Sequence, residues 1–416
     1  MTDGLVVRSA RVPHDQVTDL LAMLPDADSP TAWVRRGDGL VGWGVAARIR
    51  TAGPTRFADA AKWWDDLVAA AVVTDTVDEP GSGLVGFGSF AFSDGSSDHP
   101  ADTAQPGSVL VVPRVIVGRR GRSAWITTVG DVSPLPIPDS VRRPRSVAVR
   151  PGALDEGEWM DAVAAAVARI NHGDLDKVVL ARDVIATLAD PLDVRAPLAR
   201  LASAYPTCWT FHVDSMFGAT PELLVRRERG LVTSRVLAGT IQRTGDDAHD
   251  LALAATLARS SKDLEEHEYA VRSVADALEP HCSSMNVPEA PYVLHLPNVM
   301  HLATDVTGVS RDQATALELA ASLHPSAAVG GTPTAAAVAL IDQLEQMDRD
   351  RYAGPVGWMD ADGDGEWGIA LRSATVLEGG TRVRLFAGCG IIADSDPSSE
   401  LAESAAKLIP VLDALA

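Results

Sequence analysis

From about residue 151 onward the sequence sets amphipathic helical patterns between paired strand-like segments, without the strand–helix–strand rhythm of a doubly wound parallel sheet. Helices interspersed with hairpin-like strand pairs point to an α+β fold built on antiparallel sheet, because antiparallel neighbours can be joined by tight turns. Asp155 is placed to cap a helix presenting Trp159, Val163, Val167 and Ile170 at helical spacing, and Gly173 to end it. KVVLARDVI (177–185) then reads as a β-branched strand. A helical pattern runs from about Asp250 to Leu278, with a break expected at Ser260 and Ser261. Further helices are expected near 312–322 and 333–347, strands at 353–359, 366–377 and 382–388, and a last helix from Ser398 or Ser399. Residues 1–150 read as short strands and loops, with apolar runs such as LVGFGSFAF (84–92) and SVLVVPRVIV (108–117) between Gly, Pro, Ser and Asp. They are expected to form a strand-rich N-terminal part of the same fold, and the stretch from Pro134 to Arg150 reads as the connection.

Composition narrows the possible partners. The 416 residues, 46% hydrophobic and 22% charged, are those of a globular chain able to bury a large core. No apolar run approaches the roughly 20 residues of a membrane span, and MTDGLVVRSARVPHDQ lacks the apolar core of a signal peptide, so a cytoplasmic location is expected. Cys208, Cys282 and Cys389 are odd in number and far apart, which suits reduced thiols. The formal charge of −20 opposes nucleic acid and anionic membranes as partners. A small anionic ligand remains possible if a local cationic pocket or a metal receives it. No extended apolar heptad asks for more than a monomer.

Only four of the 36 basic residues are lysine: Lys62, Lys177, Lys262 and Lys407. Arginine stays protonated, whereas a desolvated lysine can lose its proton and act as a base or nucleophile. The survivors at 177 and 407 therefore mark places where an amine has a chemical use. Asp263 and Glu266 stand three apart in SKDLEEHEYAV, and Glu400 and Glu403 three apart in SSELAESAAKL, with Lys407 four residues beyond. Each set lies on one helix face. Alone, either reads equally as a solvated surface with an intrahelical ion pair. Brought together across a cleft, they offer hard oxygen donors suited to Mg²⁺, with Lys407 at hand for an anion.

Other motifs carry less. DADGDGEW (360–367) starts like a calcium loop, but Leu371 stands where the twelfth-position glutamate belongs, so a polar hairpin is expected. AGCGI (387–391) is too short for a dinucleotide fingerprint; its glycines suit close approach of backbone to a ligand. The histidines form no metal pattern, and His267 and His301 read as hydrogen-bonded structural residues. Lys177 on a strand and Glu222 in FGATPELLV, at a turn, remain as isolated candidates for acid–base work.

Taken together these segments resemble the chorismate-utilising enzymes, and among them isochorismate synthase. The resemblance runs in order through KVVLAR (177–182), FGATPELLV (217–225), LAGTIQR (237–243), SKDLEEHE (261–268), HLAT (301–304) and LHPSAAVGGTP (323–333). It continues through DRDRYAGPVGW (348–358), GEWGIALRSA (365–374), LFAGCGII (385–392) and ELAESAAKL (400–408). It implies two lobes of antiparallel sheet with outer helices and the active site between them, with 151–416 as the chorismate-binding catalytic region. It further implies Mg²⁺ held by Glu266 and Glu403, with Asp263, Glu400 and His301 behind them. Arg372 and Lys407 would hold substrate carboxylates, and Gly239, Thr240, Ala328, Tyr352 and Gly388 would line the pocket. Lys177 would be the base that activates water for attack at C2 of the ring, and Glu222 the acid that protonates the departing C4 hydroxyl. Hydroxide leaves poorly unless a proton is delivered to it, and an amine must be neutral to accept one; burial favours the neutral form of both groups.

Within the resemblance, Lys177 separates this chain from the ammonia-using anthranilate and aminodeoxychorismate synthases, which carry a non-basic residue there and need a glutaminase. Salicylate synthase shares base and acid and then eliminates pyruvate; HLAT and Thr334 in GTPT differ from its pattern. A non-catalytic regulatory subunit of the same fold would be expected to lose the base or the acid, and both are present. The implied activity is thus an Mg²⁺-dependent isomerase that makes isochorismate for menaquinone or siderophore synthesis without a glutaminase.

Overall fold

A computed structural model describes residues 4–26, 29–95, 107–131, 140–145, 147–311, 313–377 and 379–416, apart from the side chain of Lys262. Much of the Pro134–Arg150 connection lies outside the described residues. The chain forms two large sheets. The larger runs Ala148–Pro151, Lys177–Thr187, Arg382–Ile391, Ser373–Val376, Met216–Thr220, Trp209–Val213, Thr31–Arg35 and Asp38–Trp43, then on through four more strands to Val72–Asp75. The smaller runs Cys282–Asn286, Val299–Ser310, Leu231–Gln242, Leu223–Glu228, Gly365–Ile369, Pro355–Asp360, Val85–Ser89, Ser108–Val112 and Ala47–Thr51. Neighbouring strands are antiparallel except where Val72–Asp75 lies parallel to Val6–Arg11 at one edge. The α+β, antiparallel reading therefore holds.

Strands from the first 150 residues are built into both sheets: Thr31–Arg35 pairs with Trp209–Val213, and Val85–Ser89 with Pro355–Asp360. A polar pin joins the layers. Trp33 Nε1 and Trp209 Nε1, from the larger sheet, donate to the same carboxylate oxygen of Glu366 in the smaller, at 2.7 and 3.1 Å. The bulky indoles thus bury apolar area on both sides while their N–H groups stay paired.

Most helices follow their local signals. Asp155 and Glu158 form a reciprocal capping box at the start of Glu156–His172, and Gly173 ends it with φ 89°. The long helical pattern is interrupted where expected, into Asp247–Leu257 and Ser261–Leu278, because Ser260 accepts the Asp263 N–H as a new cap. The last helix, Pro397–Leu415, is capped by Asp396. Residues 360–367 make the expected polar hairpin between Pro355–Asp360 and Gly365–Ile369, with Asp360 Oδ1 accepting the N–H groups of Asp362 and Asp364.

Two expectations are corrected. The N-terminal part is not only strands and loops: Arg56–Ala70 is a helix that buries Arg56, Ala60 and Trp64. Its two tryptophans and short apolar spacings do not stand out among neighbouring strands, so the helical period is easily missed. Nor is 366–377 one strand. Gly365–Ile369 belongs to the smaller sheet and Ser373–Val376 to the larger, and the chain crosses between them at 370–372, where Arg372 takes φ 48°. The continuous apolar pattern GEWGIALRSATV hides that crossing.

The cap on Glu156–His172 can be tested apart from the site. Asp155→Ala should lower the unfolding free energy by about 1 kcal/mol, read as an earlier denaturation midpoint with unchanged enzymatic rate constants.

Candidate active site

The crossing at 370–372 brings Arg372 between the sheets, beside a small, partly open cavity. Glu222, Gly239, Thr240, Glu266, His301, Ala328, Tyr352, Arg372, Gly388 and Lys407 all line it, although they come from nine separate stretches of chain. Lys177, Asp263, Glu400 and Glu403 are not among its lining residues. A wider cleft lies elsewhere, against Trp33, Trp209 and Arg35, and holds none of the candidate residues.

Lys177 is the first residue of the strand Lys177–Thr187 and is fully buried. Its Nζ stands 3.2 Å from Glu266 Oε1 and makes no hydrogen bond among the described residues. The contact depends on a residue without a side chain. A Cβ at Gly390, on the neighbouring strand Arg382–Ile391, would stand 2.3 Å from Glu266 Oε1 and 3.0 Å from Lys177 Cε. Gly390 was not singled out from the sequence as a site residue, though the glycines of AGCGI were read as places of close approach.

Glu222 follows a cis-free Thr-Pro turn at the end of Met216–Thr220 and is buried, with the Leu237 N–H 3.4 Å from Oε1. Burial pushes its pKa up from 4.5 to about 8, against the smaller opposing effects of that N–H and of Lys177, Arg372 and Lys407. Near neutral pH the carboxyl therefore keeps its proton and can give it away.

The cations are held by a chain of polar contacts. Arg372 Nη2 donates to His301 Nε2 at 3.1 Å, which leaves the proton on Nδ1 to be donated to Thr240 Oγ1 at 3.0 Å. Burial and the charges of Arg372 and Lys407 hold His301 neutral, well below its ordinary pKa. Thr240 reaches this position through a bulge at Gly239, whose φ is 78°. A Cβ there would stand 3.0 Å from the Cβ of Asp263, so Asp263 packs behind the bulge. Tyr352 lies flat on Phe386, with ring centroids 4.9 Å apart, and burial raises its pKa to about 12.

On the helix Pro397–Leu415, Lys407 Nζ donates to Gly388 O at 2.9 Å and lies 2.5 Å from Glu403 Oε1. Burial disfavours its charge, but Glu403 and other neighbours more than offset this and raise its pKa. Ligand atoms of Cys389, Glu400 and Glu403 all lie within 4.8 Å of one another. Cys389 is buried and donates to Glu400 O at 3.2 Å, and burial raises its pKa well above the usual thiol value, so it remains a protonated thiol. That leaves carboxylate oxygens as donors. Glu266 is not in that cluster but stands against Gly390 of the adjoining strand; carboxylates there and at Glu400 and Glu403 are hard oxygen donors of the kind Mg²⁺ takes.

A family model described as chorismate binding enzyme matches residues 4–135 and 137–416. The chain belongs to the chorismate-binding enzymes. Isochorismate synthase MenF of Bacillus subtilis (strain 168) is 36% identical over 283 residues, a match covering 67% of this chain and 60% of that protein's own length. Isochorismate synthase EntC of Escherichia coli (strain K12) is 36% identical over 273 residues, covering 64% of this chain and 69% of that one. The solved structure of MenF, the menaquinone-specific isochorismate synthase from Escherichia coli, superposes with a TM-score of 0.81 at 25% identity, covering 100% of this chain and 95% of that one. The family fold expected from the motifs is thus the fold observed. Among the described residues, no helix is long and apolar enough to cross a membrane.

The proton on Glu222 has a stability consequence. Between pH 4.5 and about 8 the folded chain holds a proton that the unfolded chain has released, so this group lowers stability as pH rises through that range. Glu222→Gln removes the loss. It should unfold at higher urea than the parent at pH 8, and the difference should shrink towards pH 5.

Proposed function

We propose that this chorismate-binding enzyme is an isochorismate synthase, adding water at C2 of chorismate with departure of the C4 hydroxyl. The observation that carries the reading is a buried, proton-holding carboxyl, Glu222, on the cavity that also presents Arg372 and Lys407, with a buried amine, Lys177, standing 3.2 Å behind Glu266 of the same cavity wall. A binding subunit would have no use for a carboxyl kept protonated at this position. The isochorismate synthase relatives agree with it.

In the reaction Lys177 accepts a proton from water as the water oxygen bonds to C2. The ring double bonds shift, the C4–O bond breaks, and Glu222 delivers its proton so that water leaves in place of hydroxide. Arg372, held by His301, and Lys407, held by Gly388 O and Glu403, receive the carboxylates of the dianionic substrate. Glu266 and Glu403 would hold Mg²⁺, which when bound supplies positive charge to a substrate carboxylate. Tyr352 and Ala328 close the cavity wall and help exclude bulk water. Water is the nucleophile, so the chain works without a glutaminase, and as a monomer in the cytoplasm.

Purified chain with Mg²⁺ and chorismate should yield isochorismate as its main product by chromatography. Salicylate with pyruvate would make it a salicylate synthase, and no turnover would leave a binding subunit. Lys177→Gln and Glu222→Gln should each lower kcat by roughly 10²-fold with little change in KM. The parent's rate should decline as pH rises through about 8, where Glu222 loses its proton; a rate still climbing at pH 9 argues against Glu222 as the acid.

Glu266→Ala and Glu403→Ala should each abolish turnover at ordinary Mg²⁺ with the circular dichroism spectrum unchanged, and EDTA should inhibit the parent reversibly. Normal turnover in Glu403→Ala would remove it as a ligand.

A further inference from the structure

The strand that begins at Lys177 has a gap along one edge. On one side Arg382–Ile391 pairs with it from Val178 to Thr187. On the other, Gly331–Thr332 pairs with Lys177 and Val178, Gly330 O accepts the Val179 N–H at 2.8 Å, and Ala148–Pro151 pairs with Val184 to Thr187. The groups facing the gap, the Val179 carbonyl and the Ala181 amide and carbonyl, are buried, where an unpaired amide or carbonyl is costly.

Side chains fill most of the gap. Arg349 Nη2 donates to Val179 O at 2.7 Å, Glu345 Oε1 accepts the Ala181 N–H at 2.6 Å, and Trp159 Nε1 donates to Ala181 O at 3.1 Å. Glu345 and Arg349 are 2% and 3% exposed and are bound to each other, Nε to Oε2 at 2.9 Å and Nη2 to Oε1 at 2.5 Å. Arg349 Nη1 also donates to Val329 O at 2.9 Å.

Arg349 lines the cavity, which invites a role in gripping the substrate. Its bonding opposes that role. Four of the five guanidinium N–H directions are engaged within the protein, and Glu345 neutralises its charge. We infer that the Glu345–Arg349 pair is a positioning device standing in for the missing stretch of neighbouring strand, which sets where Lys177 stands against Glu266 of the cavity wall. The inference rests on the reading of Lys177 as the base. A base displaced by about 1 Å can lose up to roughly 10² in rate, so a side-chain substitute for a strand is an effective place to control it.

The test uses Glu345→Gln and Arg349→Lys in the full chain, the first keeping shape and an acceptor for the Ala181 N–H should the second fold poorly. Amide exchange in a peptide spanning 177–187 should quicken by about tenfold or more. In parallel kcat for chorismate should fall by roughly 10- to 100-fold, with KM within about threefold of the parent. Combined with Lys177→Gln, Glu345→Gln should add almost no further loss, because both act through one amine; full multiplication of the two losses overturns the inference. So does a raised KM at unchanged kcat, which would make Arg349 a substrate ligand. Unchanged exchange at 177–187 overturns it whatever the kinetics. Should the parent make no isochorismate, the proposed function fails, while exchange still decides whether the pair holds the strand.

Discussion

The site depends on how closely side chains can approach the backbone of the strand Arg382–Ile391. Gly390 leaves room for Glu266 to meet Lys177 against that strand, and the carbonyl of Gly388 anchors Lys407. One side chain at 390 would fill the space in which a carboxylate and an amine now stand. Because that strand lies beside Lys177–Thr187 on one side and Ser373–Val376 on the other, Lys177 and the Arg372 crossing are carried with it.

Burial does the remaining chemical work. The chain carries a formal charge of −20, yet its cavity gathers Arg372 and Lys407 where a dianion would enter. The same low-dielectric surroundings that strengthen these attractions keep the proton on Glu222 and keep His301 neutral as an acceptor for Arg372. Positive charge and a neutral acid thus coexist in one small space without a contradictory demand on the environment. The cost is a group that lowers stability as pH rises, a common feature of sites arranged for reaction rather than for folding.

Much of the fold was legible because its signals are local. Asp155 and Gly173 bound a helix by capping and by left-handed backbone, and Ser260 breaks a long helical pattern by capping anew. The residues expected for the site from the resemblance are mostly drawn to one cavity. Arg349 passed unassigned although DRDRYAGPVGW was noted, because its partners Val179, Val329 and Glu345 lie up to 170 positions away. The helix Arg56–Ala70 and the sheet switch at Arg372 escaped for a related reason: an apolar pattern records that a segment is buried, but not against which layer.

The sequence by itself determined the element types, most helix ends, the antiparallel α+β class and the family motifs, since these rest on periodicity, capping and residue chemistry within a few positions. Tertiary structure alone decided that Glu266 stands against Lys177, that Arg372 sits where the chain changes sheets, and that Glu222 keeps its proton. Desolvation and close approach depend on every atom packed around a group, and most of those atoms come from distant parts of the chain.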